Sequence, residues 1–149
     1  MNPDRLPPFH LAVQVRDVAE ARAFYGGLLG CREGRSDERW VDFDLYGHQL
    51  VCHLNPALGP QGQVSACASD VDGESVPIPH FGVVLDLAEW KLLARRLEAA
   101  GARFLLRPQV RFRGLPGEQA TFFVADPSGN ALEFKGFNAL GQLFAKQGS

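Results

Sequence analysis

His10 and His80 open two matching stretches of this chain, HLAVQVRDVAEARAFYGGLLGC and HFGVVLDLAEWKLLARRLEAAGA, about 70 residues apart. Glu133 lies near the end of the second copy. Two neutral imidazoles and one carboxylate leave about three positions open on an octahedral metal, the ligand set expected of non-haem Fe(II) oxygenases. Mn(II), Ni(II), Co(II) and Zn(II) accept the same donors. A lone histidine on an apolar strand is commonly a structural residue. Two at equivalent places in a repeat shift that balance and leave a shared ligand site as open as the structural role.

The elements that must position these residues repeat as well. Residues 9–15 are rich in strand formers, and Asp17 with Glu20 offers a capping-box start for a helix burying Val18, Ala21, Phe24, Tyr25 and Leu28. Gly26 and Gly27 weaken its last turn, and Gly30 can end the unit. Residues 40–45 and 49–54 read as two strands joined through Tyr46-Gly47-His48. In the second copy, residues 80–85 form a strand, and Asp86 starts a helix presenting Leu87, Trp90, Leu93, Ala94 and Leu97. Strands are expected at 103–106, 119–124 and 131–137, with Asp126-Pro127-Ser128-Gly129 as the turn between the last two. The order is strand, helix, three strands, twice, with the second strand of the first copy poorly defined.

The expected architecture is α+β, two tandem βαβββ modules forming a curved mixed sheet around a metal-binding cup in a single domain spanning 1–149. Module one covers about 9–54 and module two about 80–137. Between them, 55–79 holds four prolines and three glycines with few large apolar residues, which suggests a linker or lid. Asn138 is placed to cap a final helix at about 138–146 that would present Leu140, Leu143 and Phe144 to the body. On alternate positions of their strands, His10 shares a face with Ala12 and Gln14, and Glu133 with Ala131 and Lys135.

Composition narrows the function classes. A formal charge of -2 provides no electrostatic case for nucleic acid or an anionic membrane surface. No apolar run approaches the roughly 20 residues of a membrane span, and MNPDRLPPFH has no signal-peptide pattern. Cys31, Cys52 and Cys67 are odd in number and form no CxxC, so they read as free thiols in a reducing cytoplasm. The partners expected are a small-molecule substrate and a second copy of the chain, without nucleic acid or membrane.

The stretches FHLAVQVRDVAEARAFYGGLLGC, HFGVVLDLAEW and FFVADPSGNALEFKGF resemble the vicinal oxygen chelate superfamily, which includes glyoxalase I, fosfomycin-resistance transferases, bleomycin-resistance proteins and extradiol dioxygenases. The DPSGNALEFK block is its most specific part, and the QLFAK tail is similar to small single-domain proteins described as predicted extradiol-type dioxygenases. The resemblance implies metal ligands His10, His80 and Glu133, most simply for Fe(II), and a site built within one chain or across a dimer. It also implies ring cleavage of a catecholic or related vicinal-oxygen molecule. A glyoxalase-like isomerase or lyase, a fosfomycin-type thiol transferase and a bleomycin-resistance-like binder remain alternatives.

Glyoxalase I-type members carry a fourth protein ligand on the fourth strand. Aligning the copies on GHQLV and GNALE sets Val51 opposite Glu133 and His53 opposite Lys135. A slightly different register would make His53 the fourth ligand. Otherwise His53 is a cavity-wall residue or a candidate for proton transfer, because an imidazole titrates near neutral pH. Arg111 and Arg113 flank Phe112 before the seventh strand and could clamp an anionic substrate, or simply face solvent. Lys135 shares the glutamate face and could sit at the cavity rim, or simply pair with a surface acid. Cys52 alternates away from His53 and is not counted as a ligand.

Overall fold

A computed structural model describes residues 5–115 and 117–146. These fall into two compact units. The first holds the described residues through Val64 together with the turn Pro127–Asn130. The second holds the described residues of Ser65–Asp126 and those from Ala131 onward. The division at Val64/Ser65 lies inside the stretch expected to be a linker.

In the first unit, β1 (His10–Val15) leads into a helix, then β2 (Arg32–Ser36), β3 (Trp40–Leu45) and β4 (His48–Leu54). The sheet order is β1-β4-β3-β2, with β1 parallel to β4 and the other pairs antiparallel. Tyr46 and Gly47 both take positive φ, 51° and 90°, which is the two-residue hairpin turn whose twist suits paired strands. Asp17 caps the helix by accepting the Glu20 N–H at 2.8 Å. The Glu20 side chain does not complete the expected box; Arg16 holds it at 2.8 Å. The α-helix α1 (Val18–Ala21) continues as a π-helix over Arg22–Leu28. Gly26 and Gly27 lie within this segment, and Leu29 N–H bonds back to the Phe24 carbonyl at 2.9 Å, five residues earlier. The core side of this helix is Ala21, Phe24 and Tyr25, with Tyr25 packed on Phe43 at 5.5 Å between ring centroids.

The predicted loop at 55–79 is largely structured. After a 3-10 turn at Pro56–Leu58, β5 (Cys67–Val71) and β6 (Glu74–Ile78) form an antiparallel hairpin in the second unit. Asp72 and Gly73, with φ of 50° and 82°, make its tip. Asp-Gly was the available hairpin signal, obscured by the surrounding prolines and glycines.

The second unit repeats the plan. A broken first strand, β7 (His80–Phe81) and β8 (Val84–Asp86), precedes α2 (Leu87–Ala99), β9 (Phe104–Arg111), β10 (Gln119–Ala125) and β11 (Ala131–Phe137). β7 and β8 both run parallel to β11, which pairs with β10 and then β9. The break sits at Gly82, where a Cβ would overlap the Glu133 carbonyl oxygen, so only glycine permits this approach. Asp86 caps α2 through the Glu89 N–H at 2.8 Å. Leu87, Trp90, Leu93, Ala94 and Leu97 are its buried residues, as its periodicity predicts. Trp90 Nε1 donates to the Phe134 carbonyl at 2.8 Å, and its ring packs on Phe122.

Two expectations at the strand and chain ends change. β9 runs to Arg111 rather than stopping at 106, with an extra residue between the Thr121–Gln109 and Phe123–Leu106 pairs. Such a bulge on an edge strand accommodates Pro108, which cannot donate to a ladder. The final helix reduces to a 3-10 turn at Leu140–Gln142; Leu140 is exposed and Phe144 is 90 % exposed. Leu140, Leu143 and Phe144 keep the i, i+3, i+4 spacing of one helical face, but with Leu140 and Phe144 exposed that face buries too little to support a longer helix. No helix among the described residues is long and apolar enough to cross a membrane.

Candidate metal centre

Parallel pairing sets the equivalence of the two copies. His10 pairs with Gln49 in the first unit, and His80 with Ala131 in the second. Counting two residues along from each, Val51 in β4 stands where Glu133 stands in β11. Glu133 therefore has no counterpart carboxylate in the first unit. His53 pairs with Gln14, so it lies four residues beyond His10, roughly 13 Å along the strand. Its ring is beside Trp40, and its side is exposed. The register thus makes valine, not histidine, the fourth-strand counterpart of Glu133.

His80 and Glu133 meet in the second unit. His80 Nε2 is 3.2 Å from Glu133 Oε2, with the two side chains 30 % and 14 % exposed. His80 Nδ1 lies 2.7 Å from the Pro77 carbonyl oxygen. A carbonyl only accepts, so Nδ1 carries a proton, and a neutral ring then turns the Nε2 lone pair toward a carboxylate. That juxtaposition calls for a positive charge between the two atoms, either a proton or a metal ion. Thr121 Oγ1 donates to Glu133 Oε1 at 2.8 Å and fixes the carboxylate's rotation. Phe123 packs edge-on against the His80 ring, with centroids 4.9 Å apart.

His10, in the first unit, is prepared in the same way. Its Nδ1 is 2.8 Å from Gln49 Oε1, while Gln49 Nε2 donates to Asp42 Oδ2 at 3.3 Å. The acceptor-only Asp42 orients the amide, so its oxygen faces His10 and takes the Nδ1 proton. With Nδ1 committed in each ring, the neutral forms of His10 and His80 both leave Nε2 as the metal-facing lone pair. Metal-binding histidines commonly donate their other N–H to an acceptor in this manner, which fixes ring orientation and raises donor strength. The donor set fits a divalent transition metal. No group of three or more His, Cys, Asp or Glu side chains close enough to hold a metal occurs among the described residues.

His80 and Glu133 open into a cavity of about 320 Å³ in the second unit. Leu106, Phe123, Val76 and Val71 supply apolar wall, and Arg111, Lys135, Thr121 and Asp72 supply polar groups. Arg111, the last residue of β9, reaches the cavity and pairs with Asp72 at 2.6 Å. Arg113 lies in the exposed turn beyond Phe112 and does not line the cavity. The sequence reasoning missed Thr121, Gln49, Asp42 and Asp72. Thr121 had a signal, as the lone hydroxyl within the apolar run ATFFVA. The other three depend on cross-strand register and on the hairpin.

The family model described as "Glyoxalase/Bleomycin resistance protein/Dioxygenase superfamily" matches residues 8–134. Among solved structures, a glyoxalase/bleomycin resistance protein/dioxygenase from Alicyclobacillus acidocaldarius is 34% identical, with a TM-score of 0.74 over 96% of this chain and 98% of that one. Lactoylglutathione lyase from Agrobacterium tumefaciens is 21% identical, with a TM-score of 0.60 over 98% of this chain and 100% of that one. The fosfomycin resistance protein FosX from Listeria monocytogenes is 16% identical, with a TM-score of 0.61 over 93% and 97%. These last two share the fold. No curated protein matches the sequence significantly. With a family model spanning most of the chain and a relative aligned over nearly all of it, the protein belongs to the glyoxalase/bleomycin resistance protein/dioxygenase superfamily.

Proposed function

We propose that this protein is a metal-dependent enzyme of the extradiol ring-cleavage type, acting on a small molecule with two adjacent oxygen atoms. His80 and Glu133 supply two ligands, and His10, carried by the first unit, is the third. The observation that carries this reading is the shared preparation of the two histidines. Both have Nδ1 committed to an acceptor, which leaves Nε2 as the atom for a metal, and His80 Nε2 faces the Glu133 carboxylate. Superfamily members commonly use divalent metals and act on small molecules.

A bound metal would supply Lewis acidity and, as Fe(II), a path for electrons from a chelated catecholate to dioxygen. The chain's own residues supply position. The Pro77 carbonyl keeps the His80 ring aimed at the metal position, and Thr121 holds Glu133 from rotating away. Phe123, Leu106 and Val76 exclude water from the substrate's apolar body. Valine at position 51 favours three protein ligands over four, leaving more than one position open for substrate and oxidant. His53, on the outer part of β4, remains the candidate for proton transfer. The protein is read as a homodimer, an arrangement common among family members.

The test is the metal content of anaerobically purified protein, beside the His80→Ala variant. About one iron per chain, lost in the variant, with oxygen uptake on catechols, is the expected result. Nickel or zinc without oxygen uptake would replace ring cleavage with an isomerase, lyase or transferase in which the metal is only a Lewis acid. No metal, even on titration, would refute the enzyme and leave a bleomycin-resistance-like binder.

A further inference from the structure

We propose that the substrate of this site carries a carboxylate in addition to its metal-binding oxygens, and that Lys135 is the residue that reads it. The inference rests on His80 and Glu133 being the metal pair. Lys135 is two positions from Glu133 on the same face of β11, about 7 Å along the strand. It is half-buried, lines this cavity and a second one bounded by Phe137 and Leu143, and its ammonium makes no hydrogen bond or ion pair among the described residues. A lysine head group usually reaches water or a partner. Here neither acid of the cavity engages it.

The charge balance assigns its partner. The cavity contains two acids, Asp72 and Glu133, and two bases, Arg111 and Lys135, besides His80. Asp72 and Arg111 neutralise each other at 2.6 Å. Glu133 is engaged by His80 and Thr121. Lys135 is the uncompensated charge. With one carboxylate on a divalent metal, the site carries two net positive charges, matched by a chelating monoanion plus one further anionic group. The cross-strand pairs Lys135–Thr121 and Gln119–Arg111 put the two bases on either side of β10. Arg111 already holds one carboxylate, that of Asp72, whose side chain is 67 % exposed at the hairpin tip. A volume of about 320 Å³ suits a molecule of roughly one ring.

The experiment measures calorimetric binding of 4-methylcatechol, 3,4-dihydroxybenzoate, 3,4-dihydroxyphenylacetate and phenylacetate, under anaerobic conditions. Wild type, Lys135→Met, Lys135→Arg and His80→Ala are each tested with and without Fe(II). A charge-assisted bond predicts that one or both dihydroxy acids bind wild type about tenfold or more tighter than 4-methylcatechol. Lys135→Met should remove that advantage while leaving 4-methylcatechol unchanged, and Lys135→Arg should keep most of it. Equal affinity of acids and 4-methylcatechol for wild type, or equal loss of both in Lys135→Met, overturns the proposal. Failure of the metal reading looks different. In that case Fe(II) and His80→Ala would not alter 4-methylcatechol binding, while the Lys135 effect on phenylacetate would still be read in metal-free protein.

Discussion

Thr121→Val tests whether the Glu133 carboxylate is a positioned ligand. The substitution keeps the shape of a residue that is 8 % exposed and deletes only the hydroxyl that donates to Glu133 Oε1 at 2.8 Å. Hydrogen bonds to charged groups contribute about 1.5–3 kcal/mol. Glu133 is 14 % exposed, so water can recover part of the loss, and the lower end, about 1.5–2 kcal/mol, is expected. That corresponds to roughly a 10- to 30-fold weaker metal affinity, within the range seen when an orienting partner of a ligand is removed. Thr121→Ser keeps the donor and should restore most of the affinity. The assay is calorimetric titration of metal-free protein with Co(II) or Zn(II), with unfolding followed separately in urea. Metal affinity unchanged in Thr121→Val, or lost equally in Thr121→Ser, would refute the reasoning, because the hydroxyl would then not be what holds the carboxylate.

Further outcomes follow from the same contacts. Metal added at about a hundredfold over its dissociation constant should stabilise wild type by about 2.7 kcal/mol in denaturant unfolding, and His80→Ala should abolish the gain. His53→Gln should leave metal stoichiometry and affinity unchanged, since Val51 holds the position equivalent to Glu133; reduced metal content would show that the register argument fails. Gly136→Ala would bring a Cβ to 2.8 Å from Trp90 Cβ and Cγ, and should destabilise by about 1–3 kcal/mol in urea titration. Trp90→Phe should cost about 1–3 kcal/mol, because the buried Phe134 carbonyl loses its indole donor.

The repeat was legible in the sequence because its parts are local. Asp17 and Asp86 cap helices through their own following residues, α2 buries the stripe its 3.6-residue period sets out, and the turn after Asp126 is built from Pro-Ser-Gly. The histidines stood out for the same reason, as one residue type at repeated strand positions, whereas Glu133 stood out through the DPSGNALEFK resemblance. Competing local effects were harder to read. The first helix continues as a π-helix where its sequence predicts only a weakened last turn, and prolines hid the Asp72-Gly73 hairpin.

Tertiary structure alone decided the relations between strands. Whether Val51 or His53 matches Glu133 depends on parallel pairing of strands some forty residues apart, and a period of two cannot choose between neighbouring registers. Arg111 and Arg113 are equivalent in sequence, yet only Arg111 ends a bulged strand at the cavity while Arg113 continues into the turn. The orientation of His10 by Gln49 and Asp42, and of Glu133 by Thr121, comes from side chains on three adjoining strands or two. Sequence thus determined which groups are available for chemistry, since that follows from residue type and local period. The fold determined which of their atoms are free to react, since that follows from partners brought together across the sheets.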